Sequence, residues 1–128
     1  RYFIKNNKVD MIMTAHVFNE KLDDTYPATL SYKINTELLR YKLGFEGVLV
    51  TDDLQMYAIS KHYDLKQTVT LAINSGVNML LFANQLAKPI SLKEIVDTIY
   101  HQILSEEISL DQIIISNKKI DTMMNKYK

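Results

Sequence analysis

Two adjacent aspartates, Asp52 and Asp53, close the short apolar run Gly47-Val-Leu-Val-Thr51. A carboxylate that leaves an apolar strand at its carboxyl end is placed for chemistry, because ligands of parallel α/β folds meet that edge of the sheet. Val48, Val50 and Asp52 share parity, so the alternation of a strand sends Asp52 to the side of its apolar neighbours and Asp53 to the other. Asp52 therefore reads either as a site carboxylate or as a cap on the loop that follows. For Asp53 the capping role is the better reading. Two more polar residues end apolar runs in the same way: His16 after Met11-Ile-Met-Thr-Ala15, and Asn84 after Met79-Leu-Leu-Phe-Ala83. His16 has two readings, an imidazole bonded to backbone or part of a pocket wall. His62 and His101 fall in helix or loop contexts and read as solvated. No His/Asp/Glu spacing matches a metal site, no cofactor is expected, and no glycine loop of the phosphate-cradling kinds is present.

The elements that must position these residues alternate regularly. Buried strands are predicted over residues 10–17, 47–52 and 78–82. Between them, Ser31 to Leu43 reads as a helix, with Ile34, Leu38 and Tyr41 at helical spacing and Gly44 past its end. Leu65 to Ser75 reads as another, with Val69, Ala72 and Ile73 on one side and Gly76 as the stop. Ser91 with Glu94, and Ser109 with Gln112, have the spacing of capping boxes that open two final helices. The first of these carries a stripe of Leu92, Ile95, Val96, Ile99 and Ile103, and the second runs to about Tyr127. Strand–helix alternation at this spacing means parallel pairing with right-handed crossovers. The candidates are a small doubly wound sheet and part of a (β/α)8 barrel, whose usual length of about 250 residues is twice what is present.

The 128 residues are 47% apolar and 23% charged, the balance of a globular chain able to bury a core. Fifteen basic and fifteen acidic residues cancel, so no overall positive field points to nucleic acid. No run approaches the roughly 18–20 apolar residues of a membrane span. Cysteine is absent, which excludes disulfides and thiol chemistry but leaves the compartment open. The chain opens on Arg1 and reads as a piece of something longer.

Three segments in this order resemble one family: Met13-Thr-Ala-His-Val17, Leu43-Gly-Phe-Glu-Gly-Val-Leu-Val-Thr-Asp-Asp-Leu-Gln-Met56 and Ala72-Ile-Asn-Ser-Gly-Val-Asn-Met-Leu-Leu81. They are similar to the C-terminal half of the catalytic barrel of family 3 glycoside hydrolases, particularly β-N-acetylhexosaminidases of the NagZ type. Pro27-Ala-Thr-Leu-Ser31 also fits, and Ile120-Asp-Thr-Met-Met-Asn-Lys-Tyr-Lys128 is similar to the closing helix. The resemblance implies an α/β fold, about three β/α units of a TIM barrel ending in a helix pair, with residues 1–128 as one fragment of the catalytic domain. It makes Asp52, at the end of the seventh barrel strand, the nucleophile of a retaining hydrolase acting on β-linked N-acetylglucosamine in saccharides such as peptidoglycan. His16 then ends the sixth strand, Asn84 follows the eighth, and Met56 lies on the loop over the sugar. His16, Met56 and Asp53 become candidate substrate contacts.

The acid/base of this subgroup resembles a histidine–aspartate dyad in a Lys-His-Phe-Pro-Gly-His-Gly motif, which this sequence lacks. Lys61-His62 lies beyond the seventh strand and cannot stand in. The segment alone is therefore expected to be inactive. Half a barrel would expose strand edges, which favours a homodimer. Bacterial cytoplasm and cell envelope both remain open as locations. Among the alternatives, a non-catalytic sugar-binding remnant would use the same wall without turnover. β-Glucosidase-like relatives usually carry an aromatic where Asp53 stands. A phosphate-accepting receiver domain is mimicked by Val48 to Asp53 and by Lys88-Pro89, but the strand after the acidic pair ends without the carboxylate that a receiver needs.

Overall fold

The computed structural model describes residues 1–85 and 88–128. Three parallel strands form one sheet in the order β1 (Met11–Met13), β2 (Val48–Asp53), β3 (Met79–Leu81). Met11 pairs with Val48 and Met13 with Val50, and Val50 pairs with Met79. A short helix α1 (Tyr2–Lys5) precedes the sheet, and α2 (Tyr57–Ser60), α3 (Leu65–Asn74), α4 (Leu92–Leu104) and α5 (Leu110–Asn125) follow β2 and β3. Strand, crossover and parallel strand are as the alternation predicts, although β1 and β3 are shorter than their apolar runs. One face of the sheet carries an apolar cluster, although β2 itself is buried on both faces from Val48 to Thr51. Leu49 packs there with Phe45 and Val77, joined by Ile12, Leu39 and Leu80. Leu30, Ile59 and Ala72 form a second cluster. The opposite face is open at its edges: Met13 is 57% exposed and Leu81 38%.

The first crossover differs from its 3.6-residue reading. After a 3-10 turn (Ala28–Leu30), Lys33–Lys42 is wound as a π-helix, in which hydrogen bonds reach five residues back. The N–H of Leu43, for example, donates to the carbonyl of Leu38 at 2.9 Å. Asn35 and Thr36 are the buried residues of this segment, Ile34 and Leu38 are half-buried along with Leu39 and Arg40, and Tyr41 is 74% exposed. Ser31 opens this segment, its Oγ accepting from the N–H of Ile34 at 3.1 Å.

Two glycines of Leu-Gly-Phe-Glu-Gly do different work. Gly44 has φ +74°, the left-handed conformation that ends the helix, and nothing lies within 4 Å of where a Cβ would be. At Gly47 a Cβ would stand 2.4 Å from the Asp10 carbonyl oxygen and 2.8 Å from the Phe45 ring. Its lack of side chain lets β1 and β2 approach, and Val48 donates to that same carbonyl at 2.9 Å.

Helix starts divide. Asp64 and Gln67 form a complete capping box at α3, where none was foreseen. Ser91 accepts from the Glu94 N–H at 3.1 Å, the first half of the expected box. Ser109 makes no side-chain cap: its carbonyl accepts from the Gln112 N–H instead. In α4, Ile95 is buried but Leu92 is 76% exposed, so the stripe is narrower than its sequence.

The end of the sheet opposite Asp52 is closed by α5. Lys119 Nζ donates to the Glu46 carbonyl, Asn78 Nδ2 to Ser116 Oγ at 3.0 Å, and Lys126 and Tyr127 both reach the Asp10 carboxylate. Residues 10, 46 and 78 all lie just before the three strands, so this helix crosses their amino ends. Lys126 and then Tyr127 hold the Asp10 carboxyl below its ordinary range by hydrogen bonding. Arg40 ties the same end from within. Its guanidinium donates to the carbonyls of Phe45 (3.3 Å), Gly47 (3.1 Å) and Gly76 (2.9 Å) and to Asn78 Oδ1 (2.8 Å).

Candidate functional site

The carboxyl end of β2 is irregular, and the irregularity falls on the two aspartates. Three steps along β2, from Val50 to Asp53, oppose two along β3, from Met79 to Leu81. Such a bulge interrupts strict alternation and re-aims side chains, and it recurs beside active sites. Thr51 repairs the ladder, its Oγ1 accepting from the Leu81 N–H at 2.9 Å. Parity thus orders the strand only as far as Val50, and beyond that point the hydrogen bonds decide.

They separate the two carboxylates. Asp52 is half-buried; its Oδ1 accepts from the Asp53 N–H at 2.8 Å, and among the described residues no protein group bonds Oδ2. Asp53 is buried at 7% exposure, and its Oδ1 accepts from the N–H groups of Gln55 and Ala83, each at 3.1 Å. One carboxylate stays available at the edge. The other joins the loop after β2 to the loop after β3.

His16 is also engaged on both sides. Nε2 lies 2.8 Å from the Asp53 carbonyl and Nδ1 2.8 Å from Thr29 Oγ1. A carbonyl only accepts, so Nε2 carries the hydrogen; Thr29 donates to Nδ1 and itself accepts from Thr14 Oγ1 at 3.0 Å. Thr29 is fully buried, and its carbonyl accepts from Asn35 Nδ2 at 3.2 Å and Ser75 Oγ at 3.3 Å. The site edge is therefore braced by hydroxyl and amide groups reaching back to α3. Thr14, Thr29 and Gln55 were not singled out in the sequence. Their signal was a hydroxyl or amide inside an otherwise apolar segment.

The remaining candidates fall around this edge. Met56, 37% exposed, precedes α2, and its N–H donates to the Asp53 carbonyl at 3.0 Å. Asn84 has φ +53°; its N–H donates to Gln55 Oε1 at 2.7 Å and its side chain bonds both backbone groups of Ile90. It shapes the loop after β3. Asp23, in the loop after β1, is buried: its carboxylate takes the N–H groups of Thr25 and Tyr26 and the Ser31 hydroxyl. Burial raises its pKa, but the Ser31 hydroxyl, these two N–H groups and Lys33 outweigh that and leave it below the ordinary value.

Asp52 lies on an open edge. A cavity of about 280 Å³ behind the same loops is lined by Leu54, Gln55, Tyr63, Phe82, Lys88 and Glu94, and one of about 680 Å³ lies under α5 at the other end; Asp52 lines neither. Among the described residues no group of three His, Asp or Glu side chains is placed to hold a metal, and no helix is long and apolar enough to cross a membrane.

A parallel sheet ending in one available carboxylate, on loops cross-braced by buried polar groups, defines an α/β protein with its candidate site at the carboxyl edge of the strands. The sequence profile of the glycosyl hydrolase family 3 N terminal domain matches residues 1–123, so the chain belongs to that family. It is 39% identical over 89 residues to beta-hexosaminidase A of Pseudoalteromonas piscicida, covering 61% of this chain and 15% of that protein. With the beta-hexosaminidase of Tolumonas auensis it shares 37% identity over 92 residues, 72% of this chain and 27% of the relative. The crystal structure of the beta-N-acetylglucosaminidase from Thermotoga maritima superposes with a TM-score of 0.83 at 29% identity, over 94% of this chain and 26% of the other. That of CbsA from Thermotoga neapolitana gives 0.88 at 29%, over 98% and 28%. The chain thus spans less than a third of each of these proteins.

Proposed function

We propose that the chain is the nucleophile-bearing part of a retaining glycoside hydrolase that releases terminal β-linked N-acetylglucosamine from saccharides. The observation that carries this reading is the division of labour at the end of β2: Asp52 keeps an oxygen available while the carboxylate of Asp53 is buried in loop contacts. Asp52 falls where the family's motif places its nucleophile, and the beta-hexosaminidase relatives support an N-acetylhexosaminide substrate. Ionised Asp52 attacks the anomeric carbon as the glycosidic bond breaks. A general acid protonates the leaving oxygen, and the covalent glycosyl-enzyme is then hydrolysed by a water that the same group, now a base, deprotonates. Met56 borders the sugar.

In this reading residues 1–128 supply three β/α units of a (β/α)8 barrel whose other units carry the acid/base. The open sheet face at Met13 and Leu81 is the barrel interior. A carboxylate on an unwalled edge holds no sugar in attack geometry, so the 128-residue chain alone has little or no activity. The test uses the longest protein that carries the chain and a nitrophenyl N-acetyl-β-glucosaminide. Asp52→Asn should lower kcat by roughly a thousandfold or more, since the covalent route is removed. Turnover retained in that variant rejects the assignment, and sugar binding without turnover in the unaltered protein favours a non-catalytic remnant.

A further inference from the structure

We infer that His16 and Asp53 are positioning residues, which act on the proposed reaction through Asp52 by clamping the peptide that carries it. The inference rests on the reading of Asp52 as nucleophile, and it departs from the substrate contacts that the sequence suggested for both residues.

Asp53 is tied at three of its atoms, by five hydrogen bonds from several chain segments. Its N–H donates to Asp52 Oδ1 at 2.8 Å, the bond that orients the attacking carboxylate. Its carbonyl accepts from His16 Nε2 at 2.8 Å and from the Met56 N–H at 3.0 Å. Its Oδ1 accepts from the N–H groups of Gln55 and Ala83. The loop after β1, the loop after β2 and the loop after β3 thus converge on one residue. That convergence falls on a bulge, where the backbone ladder itself is interrupted and orders the strand end least. His16 cannot turn away to bond a sugar without releasing both the Asp53 carbonyl and Thr29 Oγ1, and Thr29 is fixed from three further directions. A nucleophile held in near-attack geometry loses rate when its support loosens, whereas substrate affinity set by other contacts does not follow.

The experiment measures kcat and KM in the longest protein carrying the chain, with a nitrophenyl N-acetyl-β-glucosaminide, and Tm for every variant. His16→Leu removes the donor to the Asp53 carbonyl, while His16→Gln can present an amide N–H at about the position of Nε2. Asp53→Ala removes the acceptor for Gln55 and Ala83, while Asp53→Asn keeps an oxygen there. The expected result is a fall in kcat of ~10–100-fold for His16→Leu and Asp53→Ala with KM changed less than about threefold. His16→Gln and Asp53→Asn should recover most of that loss. Thr29→Val and Thr29→Ser form a second pair, acting one bond further back, should His16→Leu fail to fold. Loss carried by KM at unchanged kcat would make these residues substrate contacts and overturn the inference, as would conservative variants no better than the drastic ones. Asp52→Asn runs alongside: full activity there removes the nucleophile reading and this inference with it, whereas inactive Asp52→Asn beside unaffected His16 and Asp53 variants rejects this inference alone.

Discussion

Alanine at Gly47 and alanine at Gly44 should differ in cost although the two glycines stand three residues apart in one motif. At Gly47 the added methyl meets the Asp10 carbonyl oxygen at 2.4 Å and the Phe45 ring at 2.8 Å. Neither obstacle is a flexible side-chain end, because the first is the backbone entering β1 and the second a ring only 2% exposed. Overpacking of this kind costs about 1–3 kcal/mol, and displacing the Val48 to Asp10 hydrogen bond adds about 1, giving about 2–4 kcal/mol. At Gly44 the methyl meets nothing. The cost there is the left-handed backbone alone, about 1–2 kcal/mol, partly offset by the stiffer unfolded chain, and so about 1 net. The difference of about 2 kcal/mol corresponds to roughly 6–10 °C in Tm for a chain of this size. Equilibrium urea unfolding with a shared m value measures it. Gly44→Asn serves as a control, since Asn tolerates the left-handed region. Equal costs at the two sites, or the larger cost at Gly44, would refute the close-approach argument for Gly47.

Other outcomes follow from the buried polar groups and from the open edge. Asp23 has a depressed pKa in the fold, so its contribution is complete above the unfolded carboxyl value of about 3.9 and is lost as pH falls through the lower folded value. Asp23→Asn should flatten the decline of Tm between about pH 4 and 2, and an unchanged acid limb would contradict this. Arg40→Met removes the guanidinium donor from three carbonyls and from Asn78 Oδ1, which keeps only the Leu49 N–H, and should cost about 2–4 kcal/mol in urea unfolding. Arg40→Lys should rescue little, because one ammonium cannot span three carbonyls and Asn78. Expressed alone, the 128-residue chain should sediment as a dimer or larger through the face bearing Met13 and Leu81; a clean monomer at high concentration would argue against that.

Much of the fold was legible because it depends on local pattern. The apolar runs located three parallel strands, Val69, Ala72 and Ile73 marked the buried side of α3, and Gly44 marked the end of a helix. What escaped depends on partners distant in sequence. The π-winding of Lys33–Lys42 brings Thr36 Oγ1 to the Ser75 carbonyl at 2.8 Å and Arg40 to Gly76, contacts that no helical period encodes. The bulge at Thr51 and Asp52 is a relation between two strands, so parity along one could not reveal it. At the candidate site, residue types pointed to the carboxyl edge of the sheet, and His16, Asp52 and Asn84 do lie there. How Asp53 and His16 are engaged required knowing that the loops after β1 and β3 converge on β2. Ser109 had the spacing of a capping box, but its side chain makes no cap bond in the structure.

Covalent trapping would identify the nucleophile itself. The longest protein carrying this chain would be treated with a fluorinated, activated N-acetyl-β-glucosaminide that forms a glycosyl-enzyme quickly and hydrolyses slowly, then digested and sequenced by mass spectrometry. One glycosyl group should be found, esterified to Asp52 in the peptide spanning Val48 to Met56. A label on Asp53 or on any residue outside that peptide, or turnover with inversion and no label at all, would contradict it.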